Sequence, residues 1–410
     1  MRLVAIALLS ILLAAAPQDA PTGDAGWPQW LGPFRDGRSP ATSVFPAAGT
    51  VRLRVAWRHP LGLGASGLSV SGDRIVTLDS DEKGAFAVAL SSRDGSVLWR
   101  VPLDAEIPDD EHGPGSTPAL ADGRAYVLSP ACQMRALELA TGKLAWHLDM
   151  KAQFDSKPRF GCVSSPLLDG ERVIVQTGAP EDKRVVALDR RTGAVAWAAK
   201  GIARANYSAP GVRGTGALRE VLIHHTDVSQ GEPRSGVSAL RADDGQLVWH
   251  HTLDRSWSWA PPVAIGEDRV LLLTWNDAVL LKAPAAAQPA AVLWRSPGFT
   301  AYVAAPVYRD GHLYGYGGDF LRCIRASDGG TAWEERTYPG SLVLVDGHLV
   351  ALSITAGLLR VVEASPQAYR ERARLPVLEP GARAETPPSV VGRRIFVRND
   401  EEVVAVDVQS

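Results

Sequence analysis

The sequence predicts an all-β chain: an eight-bladed β-propeller of four-stranded antiparallel blades, closed by the N-terminal strand. Three observations predict it. A hairpin frame ending in Trp recurs at fixed spacing, a second hairpin, proline-led in most copies, precedes it, and the chain's start carries the strand that its end lacks.

The frame opens on Ala89-Leu90, Ala136-Leu137, Ala187-Leu188, Ala239-Leu240 and Cys323-Ile324. A turn dipeptide follows each: Asp94-Gly95, Thr141-Gly142, Thr192-Gly193, Asp244-Gly245 and Asp328-Gly329. Each copy then reaches Trp99, Trp146, Trp197, Trp249 or Trp333, always nine residues after the pair and four after the Gly. Fixed self-similarity of this kind marks a repeat architecture. Physically it is a hairpin, with Gly taking the positive φ that other residues resist. A large flat ring at one constant position fills the wedge between neighbouring sheets.

The upstream hairpin begins at Pro118, Pro166, Pro210, Pro262, Pro306 or Pro388 and turns at Gly123, Gly170, Gly214, Gly266, Gly311 or Gly392. Proline suits a strand's first residue because it has no N–H to give the ladder. The two hairpins make four strands in about 45 residues, the size of a propeller blade. Units begin near residues 67, 117, 165, 209, 261, 305, 341 and 387. The fifth has a longer last turn, through Ala283 to Ala291, before Trp294. In the seventh, Leu375-Pro376-Val377 stands where Trp is expected. The eighth ends at Val404-Ala405-Val406 with no room for a fourth strand, whereas Arg52 to Trp57 is a spare strand with Trp57 in the repeat position. Joining the two closes the ring and removes exposed sheet edges.

Composition agrees with one large packed repeat domain. Apolar residues make up 46% of the 410 and charged ones 21%, with a net charge of −2 and no basic stripe. That balance argues against disorder and against a nucleic-acid partner. The repeats account for the excess of Trp, 12 beside only 8 Phe and 8 Tyr. The first residues read as a signal peptide: Arg2, then Leu3 to Ala16 apolar apart from Ser10, then Pro17. Cleavage after Ala16 or Ala20 would leave Pro17 or Pro21 first, which is disfavoured, so export is legible and the cut site is not. The expected organisation is a signal peptide over 1–20, a leader over 21–50 and the propeller over 51–410, periplasmic or secreted. No Cys follows the apolar stretch to carry a lipid, and no second apolar run is long enough to span a bilayer.

Cys132, Cys162 and Cys323 leave an odd count. They read either as three small buried hydrophobes or as a Cys132–Cys162 bridge between neighbouring repeats with one thiol over.

The Ala-Leu-x-x-x-(Asp/Thr)-Gly-x-x-x-Trp repeat resembles that of the pyrroloquinoline-quinone-type propellers, over nearly all of the mature chain. The segment Trp27-Pro28-Gln29-Trp30-Leu31-Gly32-Pro33-Phe34-Arg35-Asp36-Gly37 resembles the leader of exported bacterial members. The resemblance implies one of two functions. Quinoprotein alcohol dehydrogenases hold the quinone and a calcium ion in the central channel, between a vicinal Cys-Cys disulfide and a Trp. This chain has no adjacent cysteines, and no residues match the calcium ligands or the catalytic Asp. The outer-membrane barrel-assembly lipoprotein uses the same fold as a protein-binding scaffold, but carries a lipid-bearing Cys that is missing here. The expectation is therefore a non-catalytic exported scaffold for an envelope protein, peptide or polymer, with no cofactor. The alternative is a divergent dehydrogenase using pyrroloquinoline quinone with calcium.

Residues just before each innermost strand line one mouth of such a ring. They make His112, Ser116, Arg159, Phe160, Asn206, Tyr207, Trp257, Trp259 and Tyr302 the candidate ligand-binding residues, polar groups converging among aromatics. Other motifs fall away. The cluster Asp109-Asp110-Glu111-His112 reads as a solvated loop rather than a calcium site. A calcium-loop start at Asp79 fails at Lys83 and again at Leu90. Gly62 to Gly67 fits G-x-G-x-x-G, but a strand follows where a phosphate-binding motif needs a helix. His224-His225 and His250-His251 cannot chelate as pairs, since strand neighbours point to opposite faces.

Overall fold

The computed structural model describes residues 26–46, 49–105, 112–158, 161–180, 182–202, 207–227, 234–253, 259–284, 288–300 and 305–409. Eight four-stranded antiparallel sheets follow one another: blade 1 (69–104), blade 2 (119–149), blade 3 (167–198), blade 4 (211–253), blade 5 (263–296), blade 6 (307–336), blade 7 (340–376) and blade 8. Blade 8 takes three strands from 389–409 and its outermost one, Arg52–Pro60, from the chain's start, as expected. In blade 1 the strands run from the axis outward as Ser69–Ser71, Arg74–Asp81, Gly84–Ser91 and Val97–Asp104. No described helix is long and apolar enough to cross a membrane.

The repeat pair marks a β-bulge. Ala89 pairs with Trp99, Ala136 with Trp146, Ala187 with Trp197, Ala239 with Trp249, Leu280 with Trp294, Cys323 with Trp333 and Ala405 with Trp57; the register slips beside each of these pairs. A bulge sharpens the local twist, and here it aims each indole sideways at the next blade. Blade 7 corrects the sequence reading. Its Trp position is Ala373, paired with Val361, and not Leu375. With no turn Gly to count from, the sequence offered no marker for the slip.

Most indoles do two things across the interface. Trp99, Trp146, Trp197 and Trp294 donate their Nε1–H to the backbone carbonyls of Leu139, Arg190, Ala242 and Ala326 in the following blade, at 2.9 to 3.1 Å. Trp249 is the exception. Blade 5 has the altered last turn, and this indole bonds Glu220 of its own blade instead. The ring face also receives the next blade's turn Gly: a Cβ on Gly193 would come within 2.7 Å of the Trp146 ring.

The closing interface has an added bolt. Arg398 of blade 8, 1% exposed, donates to Ser66 O at 3.0 Å, Thr77 Oγ1 at 2.8 Å and Leu78 O at 2.8 Å in and beside blade 1. A Cys132–Cys162 disulfide ties blade 2 to the segment entering blade 3. Closing so long a loop in the unfolded chain is worth on the order of 3–4 kcal/mol. Cys323 is the free thiol; it is buried, and burial pushes its pKa up to about 11, which keeps it inert.

Gly193→Ala should therefore cost on the order of 2–4 kcal/mol, combining left-handed backbone strain at φ 77° with overpacking against Trp146. Gly72→Ala, with similar φ and open space around it, should cost only about 1–2 kcal/mol. Urea unfolding of both variants measures the difference; equal losses would remove the ring contact from the account.

Candidate functional site

The innermost strands turn their unpaired edges toward the axis, and the leader meets them. Trp27 forms a two-way backbone bridge with Val70 of blade 1, both bonds 2.8 Å. Pro28 O accepts from Leu120 N of blade 2 at 2.7 Å, and Gln29 Oε1 accepts from Leu168 N of blade 3 at 3.2 Å. Arg35 donates to Pro166 O at 2.8 Å and Pro210 O at 3.0 Å, the carbonyls that open blades 3 and 4. Leu31 packs with Val263 and Ile265 of blade 5, and Gly37 lies against Val307 of blade 6. Gly37 O accepts from Leu344 N of blade 7 at 2.8 Å, and Leu344 O accepts from Ser39 N at 2.9 Å. Trp27 shares an apolar cluster with Val390 of blade 8. A segment that touches every inner edge lies on the axis, so residues 27–39 plug the channel.

The plug is a folded loop. It turns through positive φ at Leu31, Gly32, Arg35 and Gly37, with Trp27 stacked over Gly32. It leaves the channel where Asp346, in the first turn of blade 7, accepts from the backbone N–H groups of Val44 and Phe45. Arg35 is 5% exposed and has neutral partners only; burial drives its pKa down to about 9. Asp36, by contrast, lies beside Arg38, 2.6 Å away.

Above the plug, where the innermost strands begin, lies a belt of hydroxyls. Ser66 Oγ donates to Ser116 O at 2.8 Å, Ser116 Oγ to Ser164 O at 3.3 Å, Ser164 Oγ to Ser208 O at 3.0 Å, and Ser208 Oγ to Ala260 O at 3.1 Å. Each bond crosses from one blade to the next. Three polar side chains reinforce the belt from the second strands, at a position filled by Leu78, Leu128, Leu273 and Leu352 elsewhere. Gln176 donates to Ser208 O, His224 Nδ1 lies 2.9 Å from Ala260 O, and Arg398 holds Ser66 O. His224 Nε2 accepts from Ser235 Oγ at 2.6 Å if Nδ1 carries the proton. Its burial pushes its pKa down to about 4, which keeps it neutral.

The predicted site residues divide accordingly. Ser116 is buried in the belt with its hydroxyl committed to Ser164. His112, Tyr207 and Trp259 are half-buried on the rim. Arg159, Phe160, Asn206, Trp257 and Tyr302 lie outside the described residues, as do Asp109, Asp110 and Glu111. Sequence reasoning missed Trp275. It is 51% exposed and meets Trp259 edge-on, ring centroids 6.1 Å apart at 88°. The rim above blades 4 and 5 thus offers an apolar, hydrogen-bonding aromatic surface over a blind floor. Sequence reasoning also missed the belt. Its signal was there: Ser116, Ser164 and Ser208 each stand two residues before a strand-opening Pro.

The described residues do not fit a channel quinone. The disulfide joins cysteines 30 residues apart on two blades, and the axis is filled by the plug. Among the described residues no three His, Cys, Asp or Glu side chains stand together to hold a metal ion.

The sequence profile of a family described as outer membrane protein assembly factor BamB matches residues 18–224 and 233–410. Quinohemoprotein alcohol dehydrogenase ADH-IIG of Pseudomonas putida is 28% identical over 163 residues, 36% of this chain and 21% of that protein. Outer membrane protein assembly factor BamB of Yersinia pestis is 22% identical over 156 residues, 38% of this chain and 33% of that protein. The matches thus span only a fifth to a third of these curated relatives. Among solved structures, BamB from Moraxella catarrhalis superposes with TM-score 0.61 at 16% identity, covering 87% of this chain and 98% of that one. Quinohemoprotein alcohol dehydrogenase from Comamonas testosteroni gives TM-score 0.69 at 14% identity, covering 94% and 80%. At these identities the superpositions establish the fold.

His224 makes the belt acid-sensitive. The unfolded imidazole takes its proton near 6.5 and the folded one only near 4, so the unfolded state binds more protons in between. Its share of stability is full above pH 6.5 and falls by roughly 3 kcal/mol as pH drops through that window. His224→Leu, the residue of four sibling blades, should flatten urea-measured stability between pH 6.5 and 4. An unchanged slope would remove His224 from the belt's acid response.

Proposed function

The chain belongs to the family described as outer membrane protein assembly factor BamB, and on that premise we propose that it is a non-catalytic, exported binding scaffold. Its ligand is an envelope protein, a peptide or a polymer segment, taken at the mouth above blades 4 and 5. One observation carries this reading: the chain's own leader occupies the axis, so the channel ends blind at the serine belt. What stays accessible is a rim surface in which Trp259 and Trp275 meet at right angles. Exposed indoles on a rigid ring are the residues that anchor protein and peptide partners, because they offer large area with few rotors. The name of the BamB relatives, assembly factors for outer membrane proteins, agrees with an envelope partner.

Relatives named as alcohol dehydrogenases favour a second reading, a divergent quinone enzyme. The filled axis and the distant cysteines weigh against it. One propeller hosts many activities, so the site and not the fold has to decide.

Two measurements on the same protein separate the readings. Titration with pyrroloquinoline quinone, with and without calcium, should give no saturable change in Trp fluorescence or heat. A photo-crosslinking residue replacing Trp275 should trap a discrete envelope partner, and Trp259→Ala should weaken that adduct at least tenfold. Saturable, calcium-dependent quinone binding would overturn the scaffold reading.

A further inference from the structure

The blades are near-copies, so each acts as a control for the others. On the face that blade 4 turns toward blade 3, the third strand departs from its siblings. Ser238 stands where blades 1, 3, 5 and 8 carry Val88, Val186, Val279 and Val404 and blades 2, 6 and 7 carry the longer Arg135, Arg322 and Arg360. Gly236 stands where every sibling has a side chain: Phe86, Phe320 and Leu358 in three blades, and Gln133, Arg184, Asp277 and Glu402 in the others. Cross-strand pairing sets His225 and Thr252 beside Gly236, and His250 beside Ser238, all on that same face. The result is a polar, half-open cavity of about 460 Å³ between blades 3 and 4, bordered on the other side by Asp182 and Arg184. Its size is that of a small-molecule site, roughly 300–1,000 Å³.

Gly236 is what lets the cavity exist. A Cβ there would come 2.8 Å from His225 Nε2 and 2.2 Å from His251 O, so only Gly leaves room for the buried imidazole. The lining is rich in donors. Arg184 Nη1 holds Ile202 O at 2.6 Å, but its Nε is shielded from solvent and meets no acceptor, and the guanidinium has no ion-pair partner among the described residues. Ser238, 2% exposed, has no partner for its hydroxyl among the described residues. Against one guanidinium, two imidazoles and two hydroxyls stands a single carboxylate, Asp182, which accepts from Gly201 N at 3.4 Å. Buried donors without acceptors are costly, and Ser238 forgoes the aliphatic packing that Val supplies at this position in four siblings. A bound acceptor group removes both costs.

We propose that this cavity binds a small molecule through an oxyanion, a phosphate or carboxylate group held by Arg184, Ser238 and the imidazoles of His225 and His250. The site lies apart from the aromatic mouth, and its test does not depend on the mouth's ligand.

Calorimetry at low ionic strength, with inorganic phosphate and with glucose 6-phosphate, tests it on the intact protein. Glucose is the neutral control. Saturable binding of either anion is expected, and whichever binds tighter separates a free phosphate from a phosphorylated small molecule. Binding should shift the ring-proton resonances of His225 and His250 and leave exposed His147 unmoved. Ser238→Val places the sibling residue in the cavity, so the ring should fold, and Arg184→Met removes the cation; each should weaken binding at least tenfold. Equal binding of glucose, no saturable response to either anion, or full affinity in a folded Ser238→Val protein would overturn the proposal.

Discussion

Eight innermost strands face one axis, and each brings backbone groups that no neighbouring strand can pair. Closing a ring removes the outer edges of an open array, but it gathers the inner ones around a narrow channel. Water in the channel is one way to satisfy them. This chain uses its leader instead: Trp27, Pro28, Gln29, Arg35, Gly37 and Ser39 give or take hydrogen bonds at blades 1, 2, 3, 4 and 7. The rest of the molecule depends on that choice. With the axis occupied, function moves to what lies above the belt and between the blades.

The interfaces between blades combine three layers. Near the axis, hydroxyls hand hydrogen bonds from blade to blade. In the middle, aliphatic side chains pack in separate clusters, one for most interfaces. At the outer strands, indoles lie under the next blade's turn Gly. Departures from this scheme are informative because the siblings show what packing alone would choose. Arg398 appears where the ring is closed by the two ends of the chain. Gly236 and Ser238 appear where there is a cavity.

The blade count, the closing strand and the Trp frame were legible because local rules fix them. Alternation, turn glycines and strand-opening prolines each act within ten residues. The register of blade 7 was not legible, because without a turn Gly nothing in the sequence marks the bulge beside Ala373. The plug was not legible either. Arg35 meets Pro210 and Ser39 meets Leu344, contacts spanning hundreds of residues with no periodic trace. The mouth was half legible: aromatics before each inner strand pointed to Trp259, but Trp275 sits in a turn outside the frame. The disulfide stood as one of two open readings, since spacing alone does not bring two thiols together.

Residue-resolved hydrogen exchange tests the plug most directly. Leu120, Leu168 and Leu344 give their amide hydrogens to the leader, and Val70 both gives and receives. These four amides should exchange as slowly as third-strand amides such as Val88 and Val186, because all open only with the ring. Fast exchange at the four, with the third strands still protected, would place the leader outside the channel and contradict the account.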